Sequence, residues 1–353
     1  MSEKKLMKGN EVVGEAAIRA GCRYFFGYPI TPQNDIPAYM SRRLPEVDGV
    51  FLQAESEVAA SNMVYGAAGA GARVLTSSSS PGISLKAEGI SYIAGAELPA
   101  VIVNIMRSGP GLGGIQPSQA DYFQATKGMA HGDFRLLVLA PSNVQELADL
   151  TYLAFDLADK YRNPVMVLGD GMIGQMMEPV EFKEMRDLDS LPKKDWATDG
   201  AKGREKNVIN SLGLVAENLE KHNLKLKAKY DQMREEEVRF EDYMMDDAEM
   251  AIVAYGTTAR IATSAIDRAR KEGHKVGLIR PITLFPFPVD RVSEAADKVD
   301  EFLTVEMSTG QMIEDVKLAV NGKKPVDFYG RTGGVVPSTD EIYDKIVAMR
   351  GDK

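Results

Sequence analysis

Two periods alternate along the chain. Short runs rich in β-branched and aromatic residues are followed by longer stretches in which apolar positions recur every three or four residues, the pattern of strands alternating with helices. In the first half, strands are predicted at 24–27, 50–53, 73–76, 100–106, 135–140 and 164–168. Ala100–Met106 (AVIVNIM) is apolar almost throughout, as expected of a parallel strand covered on both faces. Ser142 and Gln145 have the spacing of a capping box, in which the two side chains satisfy free amides of the first helical turn. Leu147, Leu150, Ala154, Leu157 and Tyr161 then continue at helical spacing. The pattern predicts an α/β unit, a parallel sheet with helices on both faces, reaching to about residue 185.

The rhythm breaks over 186–248. Residues 187–203 are rich in Asp, Lys, Pro and Gly, a loop composition. Residues 215–241 are charged and helix-forming, and read as a solvated helix bridging two units. From 249 the alternation resumes, with strands at 250–255, 275–279 and 302–305 and helices at 258–272, 290–296 and 311–320. This last stretch is the size of a small domain, and a length of 353 residues agrees with more than one core.

Composition narrows the function classes. With 44% apolar and 26% charged residues the chain has the make-up of a soluble globular protein. Lys and Arg number 42 against 51 Asp and Glu, a net charge of −9, which argues against nucleic acid or an anionic membrane as the main partner. No apolar run approaches the ~18 residues of a membrane span, and no apolar segment follows the lysines of the first residues, so a cytoplasmic protein is expected. Cys22 is the single cysteine, and one thiol makes neither an internal disulfide nor an iron–sulfur site, which takes about four. His131, His222 and His274 are scattered, without the spacing of a zinc site, so no metal site is expected on this chain. Any redox centre must be a bound cofactor or belong to another chain.

The candidate chemistry falls at strand ends. Gly27-Tyr28-Pro29-Ile30-Thr31-Pro32 joins a strand to a helix through a loop stiffened by two prolines. With Pro32 in the first helical turn, Thr31 would sit at a helix N-terminus and could hydrogen-bond an anion; the alternative is an ordinary strand–helix turn. Glu55 and Glu57 precede a helix of small residues, Tyr65-Gly66-Ala67-Ala68-Gly69-Ala70-Gly71. They are either carboxylates favoured by the helix dipole, or acids beside an apolar ligand that raises their pKa. The tract from Thr76 to Gly82 joins another strand to another helix. Arg107 ends the 100–106 strand, either gripping a carboxylate with its planar fork or reaching out at the sheet edge. Two motif matches are set aside. Gly109-x-Gly111-x-x-Gly114 does not open the first βα turn, and Gly169-Asp170-Gly171 lacks the downstream asparagines of a magnesium–pyrophosphate motif.

Taken together and in order, these residues resemble the α subunit of 2-oxoacid:ferredoxin oxidoreductases, the pyruvate:ferredoxin oxidoreductase superfamily. The resemblance implies a thiamine-diphosphate-binding-fold, pyrimidine-type domain over 1–185, a charged linker and helical segment over 186–248, and a transketolase C-terminal-like α/β domain over 249–353. The last rests on Ala254-Tyr255-Gly256-Thr257-Thr258-Ala259-Arg260 and on Arg280-Pro281-Ile282-Thr283-Leu284-Phe285-Pro286-Phe287-Pro288. By position it implies that Glu57 hydrogen-bonds the aminopyrimidine of thiamine diphosphate, with Glu55 facing elsewhere. Thr31 and Arg107 are implied to bind the 2-oxoacid carboxylate, and Pro29 and Ile30 to pack near cofactor and substrate.

The same resemblance implies a cofactor shared with a β subunit that carries the pyrophosphate and magnesium motif. It also implies γ and iron–sulfur δ subunits, with ferredoxin and coenzyme A as reaction partners. Family members for 2-oxoglutarate tend to carry lysine in the loop after the arginine, whereas 110–119 (PGLGGIQPSQ) has no cation. That points to the branched-chain type, acting on 2-oxoisovalerate (3-methyl-2-oxobutanoate); 2-oxoglutarate- and pyruvate-specific members are the alternatives. A non-catalytic scaffold subunit and a stand-alone thiamine-diphosphate enzyme are the readings of other classes. Cys22 reads as a buried structural thiol. The loop His131-Gly132-Asp133 reads as one that approaches substrate or a partner subunit.

Overall fold

A run such as Ala100–Met106 has no polar face, so it is stable only between two layers of helix. In the computed structural model, which describes residues 4–351, it is the middle strand of a seven-stranded sheet. The chain begins β1 (Lys5–Lys8), α1 (Gly9–Arg19), β2 (Tyr24–Gly27), α2 (Asp35–Arg43), β3 (Val50–Gln53), α3 (Glu57–Gly69), β4 (Val74–Ser78), α4 (Ser80–Gly95) and β5 (Ala100–Met106). It continues α5 (Tyr122–Thr126), β6 (Leu137–Leu139), α6 (Val144–Tyr161), β7 (Pro164–Asp170), α7 (Gly171–Gln175), β8 (Met177–Val180), α8 (Ala216–Glu236) and β9 (Phe240–Tyr243). The last part is β10 (Met250–Val253), α9 (Gly256–Lys271), β11 (Val276–Pro281), β12 (Thr283–Phe285), α10 (Val289–Ala296), β13 (Glu301–Glu306), α11 (Met312–Val320), β14 (Val326–Gly330) and α12 (Thr339–Arg350).

The large sheet has the order β12-β6-β7-β5-β4-β2-β3, parallel except for β12. A second sheet has the order β14-β13-β10-β11-β9, with only β9 antiparallel. β1 and β8 form a short antiparallel pair. Sheet membership does not follow chain order. β9 leaves α8 to edge the second sheet, while β12, two residues after β11, crosses to the edge of the first, where the amide of Ala140 donates to the carbonyl of Ile282 (2.8 Å). Among the described residues, no helix is long and apolar enough to cross a membrane.

Three local expectations are corrected. The cap of α6 is one residue later than Ser142: Asn143 is the N-cap, its Oδ1 accepting from the amide of Glu146 (2.8 Å). Glu146 reaches back to the amide and hydroxyl of Ser142, and Gln145 instead binds Asp149 and the carbonyl of Glu181. Pro32 is not in a first helical turn. α2 starts at Asp35, and the Pro32 carbonyl accepts from Asn10 Nδ2 (2.8 Å) and Gln175 Nε2 (2.9 Å). The charged helix α8 is not solvated all round: it buries Leu226, Tyr230 and Met233, pairs Lys225 and Lys229 with Glu97, and sets His222 against the carbonyl of Gly95 (2.7 Å). Its stripe of three apolar residues is narrow, which is why charge dominates its sequence.

The segment between β5 and α5 carries the first sheet's connection over to the second. Gln119 lies fully buried in it. Its backbone amide donates to the carbonyl of Met307 (2.8 Å), and its Nε2 donates to the carbonyl of Tyr255 (2.8 Å). Its Oε1 accepts from the amide of Met307 (2.9 Å) and the hydroxyl of Thr258 (3.1 Å). Nearby, the Tyr122 hydroxyl donates to Asp315 Oδ2 (2.5 Å), and Gln311 binds both the Phe123 amide and the Ala120 carbonyl. Gln119→Leu keeps the volume but strands the Met307 amide and the Tyr255 carbonyl away from water. A loss of about 2–5 kcal/mol is expected, read by denaturant unfolding; an unchanged midpoint would contradict the clasp.

Candidate active site

Because β2, β3, β4, β5 and β7 are parallel, their carboxyl ends open on one edge of the sheet, the usual place for a ligand in such a fold. Glu57 opens α3 there. Ser56 is the N-cap, its hydroxyl accepting from the amide of Ala59 (3.2 Å), so Glu57 takes the first helical position, where the dipole favours a carboxylate. Glu57 is only 6% exposed, whereas Glu55 is exposed. No hydrogen bond to the Glu57 carboxylate is made by any described residue. It packs over Gly82 at the start of α4: a Cβ there would stand 2.9 Å from Glu57 Oε1 and 2.1 Å from Ser78 Oγ, so only glycine fits. The hydroxyls of Ser78 and Ser79 are buried without a partner.

Beneath this pair lies a residue not singled out in the sequence. Lys86 is fully buried, and its Nζ donates to Thr76 Oγ1 (2.9 Å). Burial holds the ammonium down at about pKa 8, from an ordinary 10.5, while the charge of Glu57 pulls it back up. The signal was present: Ile83, Lys86, Ile90 and Ile93 fall on one helical stripe, so a lysine sits where the pattern demands an apolar residue.

Arg107 follows β5 and is 9% exposed. Its Nη1 donates to the carbonyl of Thr31 (3.0 Å) and its Nη2 to the carbonyl of Leu112 (3.2 Å), while Nε is buried and unpartnered. Thr31 and Arg107 are therefore brought together, though through the backbone of Thr31 rather than its hydroxyl. Pro29 and Thr31 are exposed and Ile30 half-buried in the β2–α2 loop. Residues 108–116 close a ring, with the Ser108 amide donating to the Gln116 carbonyl and the Gly114 amide to the Ser108 carbonyl, both 2.9 Å. The glycines of the rejected Gly109-x-Gly111-x-x-Gly114 match lie in this ring rather than in a strand–helix turn.

Behind the ring, Asp121 accepts from the Ser80 hydroxyl (2.6 Å) and from Asn104 Nδ2 (2.9 Å). Burial pushes its carboxyl above the usual range, and those two donors oppose the shift. Asn104, the one polar residue of β5, was its sequence signal. Two clefts flank the ring. One of about 790 Å³ is lined by Thr31, Asp35, Ile115 and Met172, and one of about 860 Å³ by Ser80, Arg107, Asp121 and Gln311. Glu57 lines neither.

The remaining candidates have other places. Asp170 of the Gly-Asp-Gly match caps α7, accepting from the amides of Met172 (2.9 Å) and Ile173 (3.3 Å). Cys22 is fully buried, its thiol pushed up to about 12 by burial, with Sγ donating to the Tyr24 carbonyl (3.3 Å). His131 stands edge-on to Tyr92, 6.2 Å between centroids. That is roughly 18 Å along α4 from Ser80, away from the residues above. Among the described residues, no group of three or more His, Cys, Asp or Glu is arranged to hold a metal ion.

Residues 15–251 match the family described as "Pyruvate flavodoxin/ferredoxin oxidoreductase, thiamine diP-bdg", and 248–342 match "Pyruvate:ferredoxin oxidoreductase core domain II". The chain is 53% identical to the "Ketoisovalerate oxidoreductase subunit VorB" of Methanothermobacter thermautotrophicus, over 99% of this chain and 98% of that protein. It is 38% identical to the "2-oxoglutarate synthase subunit KorA" of Archaeoglobus fulgidus, over 93% and 95%. Among solved structures it is similar to the "2-oxoglutarate:ferredoxin oxidoreductase from Magnetococcus marinus with 2-oxoglutarate, coenzyme A and succinyl-CoA bound" (TM-score 0.86, 25% identity). That match covers 98% of this chain but only 65% of the other, so the chain spans less than two thirds of the solved one. A "Split gene transketolase" shares the fold at 12% identity and TM-score 0.59.

Lys86 makes stability depend on pH. Below about pH 8 folded and unfolded chains both hold its proton; between there and 10.5 only the unfolded chain does. The folded state of the natural chain should therefore gain on Lys86→Met as pH rises through that window, by roughly 3 kcal/mol. Denaturant unfolding of both at the two ends of the window checks it; a constant gap would contradict it.

Proposed function

The chain belongs to the pyruvate flavodoxin/ferredoxin oxidoreductase family, as an α subunit, and on that premise we propose that it acts in a complex oxidising 3-methyl-2-oxobutanoate to the acyl-CoA with electrons passed to ferredoxin. The observation that carries this reading is Glu57: a nearly buried carboxylate that accepts no hydrogen bond from a described residue, at the carboxyl edge of a parallel sheet, packed over a glycine that no larger residue could replace. Buried polar groups are nearly always paired, so an unpaired set at such an edge points to a ligand. Glu57, with the orphaned Ser78 and Ser79 hydroxyls, fits a polar heterocycle with exchangeable protons, such as the aminopyrimidine of thiamine diphosphate. When bound, that cofactor supplies the nucleophile and electron sink for 2-oxoacid decarboxylation.

The residues have separate tasks. Glu57 is the hydrogen-bond partner of a ring nitrogen of the cofactor. Pro29 and Ile30 form the loop wall beside it. Arg107, with a guanidinium edge unused, and Thr31, whose hydroxyl is not spent on Arg107, grip the substrate carboxylate. The ring 108–116 carries no cation but exposes Leu112 (88%) and Ile115 (57%), which suits a branched aliphatic tail better than a second carboxylate.

We assign the pyrophosphate and magnesium site to a β subunit, and the iron–sulfur clusters to a δ subunit that joins with γ. A single cysteine cannot supply the roughly four thiolates of a cluster, and we further assign cofactor binding to 1–185, with 249–353 bracing it across the 186–248 segment. The acidic surface and lone buried thiol suit a cytoplasmic complex.

Two measurements test the reading. In the assembled complex, Glu57→Gln should lower turnover at least about 100-fold while the subunits still co-purify; full activity would refute it. A panel of 2-oxoacids with ferredoxin or a viologen dye should favour 3-methyl-2-oxobutanoate; preference for 2-oxoglutarate or pyruvate would overturn the substrate assignment.

A further inference from the structure

The ring 108–116 is held from the far side of the molecule. The turn after β14 brings Gly334 down onto the ring's closing point. A Cβ on Gly334 would lie 2.4 Å from Gln116 Cβ, 3.2 Å from Gln116 Cγ and 3.4 Å from Ser108 Oγ. Ser108 and Gln116 are the two residues whose backbone hydrogen bond closes the ring. Gly334 also has φ +95°, a conformation that side chains resist. Its neighbours in the turn wall both clefts, Val336 with Thr31 on one side, Thr332 and Gly333 with Arg107 on the other.

From this we infer that Gly334 is a positioning residue for Arg107, acting through the ring. Arg107 Nη2 is aimed by the carbonyl of Leu112, and Leu112 is the middle of the ring. If the ring is pushed open at Gln116, that carbonyl moves and the guanidinium loses one of its two anchors. The other anchor, the Thr31 carbonyl, allows it to swing. The second sheet thereby sets the aim of an arginine at the end of the first. The inference rests on the reading of Arg107 as the carboxylate grip.

The test uses the assembled complex and steady-state kinetics with 3-methyl-2-oxobutanoate. Gly334→Ala should raise KM about tenfold with little change in kcat, the mark of lost ground-state binding rather than lost chemistry. Gly273→Ala is the control, since Gly273 has a matching φ of +93° with open space around it, and so carries the backbone strain without the contact. If Gly334→Ala prevents assembly, Gln116→Gly decides: it frees the ring's closing point without adding an atom, and it too should raise KM. Arg107→Met separates the two claims. If it leaves KM unchanged, the carboxylate grip is wrong. If it raises KM while Gly334→Ala behaves like Gly273→Ala, or while Gln116→Gly is silent, the grip stands and the positioning role is overturned.

Discussion

Gln119 is held in an arrangement that leaves neither end of its amide unpaired inside the protein. Its nitrogen faces the Tyr255 carbonyl, its oxygen faces the Met307 amide and the Thr258 hydroxyl, and its own amide reaches the Met307 carbonyl. Those partners belong to the carboxyl ends of β10 and β13 and to the start of α9. A buried amide tolerates no slip of a residue or a rotation of one sheet against the other, because each would leave a donor or acceptor stranded. The clasp therefore fixes the two sheets relative to each other. It also fixes one end of the segment whose other end is Arg107.

The site depends on that constraint. Arg107 leaves β5, the ring 108–116 doubles back on Ser108, and Gln119 locks the exit; Gly334 closes the gap from the second sheet. Short side chains and glycines predominate in this path, so its shape is set by hydrogen bonds rather than by packing. Elsewhere along the same edge the rule of full satisfaction is relaxed. The hydroxyls of Ser78 and Ser79 and the Nε of Arg107 are buried without hydrogen-bond partners, and Lys86 keeps an ammonium in the interior, where the charge of Glu57 acts on it. Each is costly in the chain alone. Their grouping along one edge is what distinguishes them from scattered packing errors.

Much of this was legible in the residues. Ala100–Met106 is a strand at the predicted bounds because a doubly covered strand must be apolar throughout. Tyr24–Gly27 and Val50–Gln53 were likewise placed by their β-rich runs. Strand-end position marks Thr31, Arg107 and the pair Glu55 and Glu57 as candidates, and only the family resemblance singles out Glu57 from that pair. Where the reading slipped, two residues competed for one role. Ser142 and Asn143 are both good caps, and the choice fell to Asn143 because Glu146 turns back to Ser142 and also binds Arg280 across the interface. The strand predicted over 135–140 shortens to Leu137–Leu139, since the Arg135 carbonyl is taken by the Asn163 side chain and the Ala140 amide by the crossing segment. The capping box of α12, Ser338 with Glu341, is likewise written in the chain.

The sequence by itself determined the alternation of strands and helices, the family, and the residue types available for chemistry, because period and local chemistry are carried by neighbours in the chain. It did not determine that β12 would leave its own unit to edge the other sheet, that Lys86 would lie buried beside Glu57, or that a glycine more than two hundred residues on would sit against the ring of Arg107. Those are long-range contacts. They follow from which polar groups find partners once the sheets are packed, and only the tertiary structure decides that.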